Sequence, residues 1–258
     1  MIANNKYRIL ETLNSAGEFG QLYRGENVRT KEDVAIKVEP IASQTNLLKR
    51  ETQIYQYLGN SPGIPQIKWF GSDNTNNYMV MSLLGKSLSA LKREQPNSTF
   101  SLTSTISIAI NIIKRLRFLH EKGLIHRDVK PDNFITGVGK NAKQLYMIDF
   151  GFAKKYLKKT GEHINICTGK QTIIGTPNYI SINIHEGVEP SRRDDLESVG
   201  YIMLYLMGLG FELSYTIKLN IENNDSIPPV IKEYLKYCKN LWFEQTPDYD
   251  YLVELLSS

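Results

Sequence analysis

The stretch Ile125-His126-Arg127-Asp128-Val129-Lys130-Pro131-Asp132-Asn133, with Asp149-Phe150-Gly151 further along the chain, concentrates the residue types that phosphoryl transfer requires. Moving a phosphoryl group from a nucleotide to a hydroxyl asks little covalent chemistry of a protein, because positioning and charge neutralisation on the phosphate oxygens do most of the work. The parts are few. A carboxylate must orient the incoming hydroxyl and take its proton, a cation must sit by the migrating phosphate, and hard oxygen ligands must hold Mg²⁺. Asp128, Lys130, and the pair Asn133 and Asp149 supply them. The alternative is a polar turn between a helix and a strand, which leaves so dense a grouping of functional side chains unexplained.

At these residues the chain resembles the eukaryotic protein kinases, and the roles just given are those of that family. The resemblance implies an α+β, two-lobed protein kinase fold with a small, mostly β N-lobe and a larger helical C-lobe. It places the kinase domain over 1–258, with the N-lobe at 1–81, a hinge at 82–85 and the C-lobe at 86–258. It also implies ATP and Mg²⁺ as cofactors, with Asn133 and Asp149 as the metal ligands.

These groups need a framework. Strands are predicted over 7–13 and 21–26, joined by Asn14-Ser15-Ala16-Gly17-Glu18-Phe19-Gly20, a hairpin tip whose glycines let backbone N–H groups approach phosphate oxygens. In the kinase pattern Gly17, Phe19, Gly20 and Leu22 cover the nucleotide. Ser15 stands where the first glycine of G-x-G-x-x-G belongs, and Asn14 where an apolar roof residue is usual. Val34-Ala35-Ile36-Lys37-Val38 is a β-prone run with one central cation, which alone would read as a surface lysine. Leu47, Ile54, Tyr55 and Leu58 then recur at helical spacing with Glu51 on the same apolar face, where an unpaired carboxylate would be costly. A Lys37–Glu51 ion pair answers both. By the resemblance it presents the Lys37 ammonium to the α- and β-phosphates.

Strands are predicted over 67–71 and 78–81, separated by a turn at 72–77. Ser82-Leu83-Leu84-Gly85 is the hinge by resemblance, with Met81 gating an adenine pocket, Ala35 lining it and the Leu84 backbone pairing with the base. Ile106, Ala109, Ile110, Ile113 and Leu116 mark a long core helix that Gly123 ends. Short strands over 134–136 and 145–148 put Asn133 and Asp149 at strand ends, and Ile135 and Ile148 pack under the adenine. From Asp149 to Asn183 the chain looks like an activation segment with Lys154, Lys155, Lys158, Lys159 and Lys170. Lys158 and Lys159 read as a solvated loop. Lys154 and Arg127 read instead as an anion pocket for substrate, with Thr176 as a third substrate-binding residue.

With hydrophobic residues at 41% and charged residues at 22%, the 258-residue chain is of ordinary globular composition, without repeats or low-complexity tracts. The nearly apolar run from Val199 to Phe211 is too short for a bilayer span, and the first residues lack a signal-peptide pattern, so a cytosolic or nuclear site is expected. Cys167 and Cys238 make no disulfide framework, and the four histidines include no ligand-like pair. A net charge of +4 permits acidic partners without demanding nucleic acid, and no basic-aromatic pattern for nucleic acid emerges. The expected partners are protein substrates rather than nucleic acid or membrane, and the expected state is a monomer.

The segment closes in Ser181-Ile182-Asn183 rather than Ala-Pro-Glu and runs on to Ser191-Arg192-Arg193-Asp194-Asp195-Leu196-Glu197-Ser198. With Gly63-Ile64-Pro65, Leu83-Leu84-Gly85, Asp132-Asn133-Phe134, Lys154-Lys155-Tyr156 and Pro247-Asp248-Tyr249, this resembles casein kinase I over nearly the whole chain. Vaccinia-related kinases usually carry Gly in place of Arg127 and Ser in place of Asp132. The resemblance implies transfer from ATP to Ser or Thr hydroxyls of acidic proteins. Three departures stand out: Asn178 replaces an arginine credited with holding a substrate phosphate, the stretch 208–229 lacks the family's basic segment, and Trp242 replaces an arginine. Two other functions compete. A silent nucleotide-binding scaffold is suggested by Asn14 and Ser15, and a small-molecule phosphotransferase would share the H-x-D-x-x-x-x-N core.

Overall fold

The computed structural model describes residues 1–3, 5–17, 20–42, 47–169, 172–209 and 213–258, and of 14–17 the backbone alone. Phe19 and Lys170 therefore lie outside the described residues. In chain order come β1 (Tyr7–Gly17), β2 (Gly20–Asn27), β3 (Asp33–Pro40), α1 (Leu47–Leu58), β4 (Ile67–Ser72) and β5 (Asn76–Ser82). Next are α2 (Leu88–Glu94), α3 (Leu102–Glu121), β6 (Leu124–Ile125), β7 (Phe134–Thr136), β8 (Leu145–Met147) and β9 (Lys154–Lys155). The chain ends with α4 (Ile182–His185), α5 (Arg192–Leu206), α6 (Tyr215–Leu219), α7 (Pro229–Asn240) and α8 (Tyr249–Ser257). These elements form two compact units, Met1–Lys86 with Ile135–Gly151, and Ser87–Phe134 with Phe152–Ser258.

The first unit is the expected small β layer, an antiparallel sheet in the order β1-β2-β3-β5-β4. Tyr7, Val34, Ile36, Tyr78 and Val80 are buried together on it. The first hairpin runs further than its apolar pattern predicts, to a Gly17–Gly20 pair, because a main-chain ladder is indifferent to the polar side chains of its last residues. Register shifts after Ile9, Thr12 and Asn14 absorb the extra residues as bulges. Helix α1 turns a buried stripe of Leu48, Glu51, Thr52, Tyr55 and Leu58 inward, one residue away from the predicted Leu47 and Ile54. Each fully buried side chain of the size of leucine contributes about 1.5–3 kcal/mol, and Leu48 at 1% exposure is one of them.

The second unit is helical. Ser101 caps α3 by accepting the Ser104 N–H, and Gly123, at φ +75°, stops it as predicted. The buried face of α3 is Thr105, Ala109, Ile112, Ile113, Leu116, Leu119 and His120, so Ile106 and Ile110 are flanking rather than central. Helix α5 carries most of the apolar run from Val199 and is buried on nearly every side, packing against α3 and α7. At its start Asp194 Oδ2 accepts the Ser191 backbone N–H at 2.7 Å, the carboxylate half of a capping box. No helix among the described residues is long and apolar enough to cross a membrane.

Candidate active site

In the first unit the chemistry converges on Lys37. Strand β3 alternates apolar Val34, Ile36 and Val38 with residues of the other face, and Lys37 stands opposite Leu22 on β2 and Met79 on β5. Its Nζ lies 2.7 Å from Glu51 Oε2 and 3.5 Å from Asp149 Oδ1. Burial alone would push the Lys37 pKa down, but the Glu51 and Asp149 charges outweigh it and hold the ammonium well above the usual lysine range. The predicted Lys37–Glu51 pair is thus present, with Asp149 as a second anion on the same cation.

Asp149 follows β8 in the left-handed region, at φ +65°, a conformation aspartate tolerates better than most residues. Two contacts secure it. Its backbone N–H donates to the Tyr55 hydroxyl at 3.1 Å, and the next residue, Phe150, is fully buried with its ring edge-to-face on Tyr55 at 4.9 Å. Sequence reasoning placed Tyr55 only on the apolar face of α1. The one available signal was its position a turn beyond Glu51.

The residues expected around an adenine all belong to this unit. Ala35 and Met81 are direct cross-strand partners, both 7% exposed. Ile135 on β7 and Ile148 after β8 are half-buried. The hinge is tied to β7 by the Gly85 N–H donating to the Thr136 carbonyl at 2.8 Å, which fixes the backbone beside Leu84. Gly20, at φ +99°, backs onto the Val38 carbonyl so closely that any Cβ would collide with it. Also in this unit is a cavity of about 700 Å³ lined by Asp33, Pro62, Gln66, Leu83, Leu84 and Val138 among others. It shares only Leu84 with the expected nucleotide residues, and Lys37 is not part of its lining.

In the second unit the chemistry converges on Asp128. Its carboxylate is 3% exposed and fully engaged: Oδ1 accepts the Thr176 hydroxyl at 2.8 Å, and Oδ2 lies 2.7 Å from Lys130 Nζ. Lys130 also donates to Thr176 Oγ1 at 3.2 Å, closing a three-residue ring. Asn133 ends a short 3-10 turn after Pro131, and its amide nitrogen donates to the Asp128 carbonyl at 2.8 Å and to Oδ2 at 3.3 Å. The four sequence-predicted residues Asp128, Lys130, Asn133 and Thr176 are therefore brought together, although Thr176 is remote in sequence.

The backbone of this loop is strained, with Arg127 at φ +68°. Asp195, from the first turn of α5, compensates by accepting the His126 N–H at 2.7 Å and the Arg127 N–H at 2.9 Å. Its Oδ2 is also 2.9 Å from His120 Nε2, whose Nδ1 is 2.7 Å from the Tyr249 hydroxyl. Burial raises the Asp195 pKa, but the His120 hydrogen bond and neighbouring charges, with the His126 N–H, carry it below the usual carboxylate range. In the sequence Asp195 and Tyr249 stand out only as parts of motifs, and His120 has no role. Their partners lie too far along the chain for spacing to reveal them.

The expected anion pocket has a more occupied geometry. Pairing of β6 with β9 sets Ile125 opposite Lys154, which brings Lys154 near Arg127. Lys154 Nζ, however, is 2.7 Å from Glu189, and Arg127 Nε donates to the Phe152 carbonyl at 2.6 Å. An incoming anion would compete with a carboxylate and a carbonyl already there. Gly175, at φ +106°, lets the chain pass over Arg127, since a Cβ would lie 2.8 Å from its carbonyl oxygen. A family model described as a protein kinase domain matches residues 7–246.

Proposed function

The chain belongs to the protein kinase family, and on that premise we propose that it is a Ser/Thr protein kinase of casein kinase I type. It would transfer the γ-phosphoryl of ATP to hydroxyls of acidic proteins. The observation that carries this reading is the ring of Asp128, Lys130 and Thr176. A substrate hydroxyl can come to the Asp128 carboxylate beside Thr176 Oγ1, donating its proton to it as it attacks. Lys130 would then sit beside the charge that develops on the transferred group. Lys37, held charged by Glu51, would bind the α- and β-phosphates, as in the kinase pattern.

The donor set suits Mg²⁺. The Asn133 nitrogen is committed to Asp128, which leaves its amide oxygen for a hard cation, and Asp149 offers a carboxylate. Bound there, Mg²⁺ would neutralise charge on the phosphate oxygens. Leu22, Ala35, Met81, Leu84, Ile135 and Ile148 would enclose the adenine, with Gly17 and Gly20 over the phosphates. The weak site for a defined substrate phosphate, with Lys154 already paired and Asn178 neutral, supports acidic protein substrates. A monomeric cytosolic or nuclear enzyme fits the sequence pattern.

Incubation with labelled ATP and Mg²⁺ beside casein, phosvitin and a Tyr-only polymer tests the proposal. Label in the first two and not the third is the expected result. Label in the polymer alone would overturn the Ser/Thr assignment. No label in any, with nucleotide still bound, would favour the silent scaffold.

A further inference from the structure

Lys218 on α6 is a lysine with no exposed surface, and its hydrogen-bond partners among the described residues are not carboxylates. Its Nζ donates to the carbonyls of Pro177 at 2.8 Å and Ile180 at 2.7 Å, and lies 3.1 Å from His185 Nε2. The ring of Tyr201 lies beneath at 4.6 Å. Two carbonyls and a ring nitrogen thus surround the ammonium, the kind of polar shell that allows a buried lysine at all. The backbone of Lys218 is itself held, its carbonyl accepting the Lys239 ammonium at 2.9 Å.

The two carbonyls bracket one turn. The Thr176 carbonyl accepts the Tyr179 and Ile180 N–H groups at 2.8 and 3.2 Å, and Pro177, lacking an N–H, has only its carbonyl with which to be fastened. Thr176, immediately before Pro177, is the residue on Asp128. We propose that Lys218 is a positioning residue for phosphoryl transfer, clamping the turn 176–180 so that the Thr176 hydroxyl and the acceptor ground around it stay registered on Asp128. The role rests on the phosphotransferase reading above.

The clamp is sensitive to protonation. Burial, opposed by the Glu197 charge, lowers the Lys218 pKa from 10.5 to about 8. The groups facing it are His185 from α4, lowered by burial and then by the Lys218 charge, Glu197 and Tyr201 from α5, hydrogen-bonded to each other, and Lys239 from α7. Above about 8 the neutral amine holds the two carbonyls with uncharged N–H groups, weaker donors than those of an ammonium, so the clamp loosens. Stability moves the other way. The unfolded chain holds this proton up to 10.5, so between about 8 and 10.5 it binds more protons and this group's contribution to stability rises with pH.

The test compares the unaltered chain with Lys218→Met, using dephosphorylated casein and Mg-ATP. A misregistered acceptor site should lower kcat about ten- to a hundredfold while KM for Mg-ATP moves less than about twofold. Hydrogen exchange at the Tyr179 and Ile180 amides should speed up by about tenfold or more. In the unaltered chain, kcat should fall above about pH 8 while thermal stability does not fall with it. If Lys218→Met does not fold, this pH comparison decides alone. Transfer by the unaltered chain with unmoved kcat and exchange in Lys218→Met overturns the clamp only, as does a kcat flat from pH 7 to 9.5. No transfer by the unaltered chain overturns the phosphotransferase reading and this role together.

Discussion

Asp195 accepts the Arg127 backbone N–H at 2.9 Å across 68 residues of chain, so a helix α5 carboxylate sets the conformation of the loop that carries Asp128. Asp195→Ala would remove the carboxylate that accepts the His126 and Arg127 N–H groups, hydrogen bonds to a charged group worth about 1.5–3 kcal/mol each, beneath a backbone already at φ +68°. We expect a lower unfolding midpoint and a large loss of transfer. Retention of both would show that the loop holds its shape unaided.

The pH dependence of Asp195 has a definite sign. Its pKa is depressed in the folded chain, so the stability it contributes is complete above the ordinary carboxylate pKa of about 3.9 and is lost as pH falls through the lower folded value. The melting-temperature gap between the unaltered chain and Asp195→Asn should therefore be widest near neutrality and shrink below about pH 4. A gap that widens on acidification would refute the assignment.

Asp149→Asn should abolish transfer with the fold intact. Volume is nearly conserved, but the proposed metal ligand and the second anion on Lys37 are lost together. Removal of one oriented charge-stabilising group costs on the order of 10²-fold in rate or more. Turnover within a few-fold of the parent, with metal-purged controls, would sink the role.

The chain should be competent without phosphorylation of 149–183. Thr160, Thr168 and Thr172 are exposed and offer phosphate sites, none of them recognisable as a required switch, and Thr176 is already hydrogen-bonded to Asp128 and Lys130. Phosphatase-treated protein should match untreated protein in initial rate, and a large drop would refute this.

Substrate choice should depend less on a priming phosphate than on diffuse acidic charge. Lys154 is spoken for by Glu189, and Asn178 adds no charge. Each exposed charge pair is worth only ~0.2–1 kcal/mol, so several acidic residues should act together and salt should weaken them. Peptides with phosphoserine, aspartate or alanine three residues before the target serine would decide. A phosphoserine preference above about tenfold at high salt would show a dedicated phosphate pocket.

That this chain is a protein kinase domain was legible without coordinates, because Asp128, Lys130 and Asn133 are grouped by local spacing, and Glu51 betrayed its pairing with Lys37 by lying on an apolar helix face. The positions of Gly123 and of the β7 and β8 strands were legible for the same reason, since turn and strand preferences are local properties. What surrounds those groups was not. Tyr55 under Asp149, Asp195 under Arg127, Glu189 on Lys154 and Lys218 on the turn after Thr176 are pairings between distant segments. Periodicity marks a residue as buried but not the backbone N–H or carbonyl it meets there, and only packing of α1, α5 and α6 against those loops decides that.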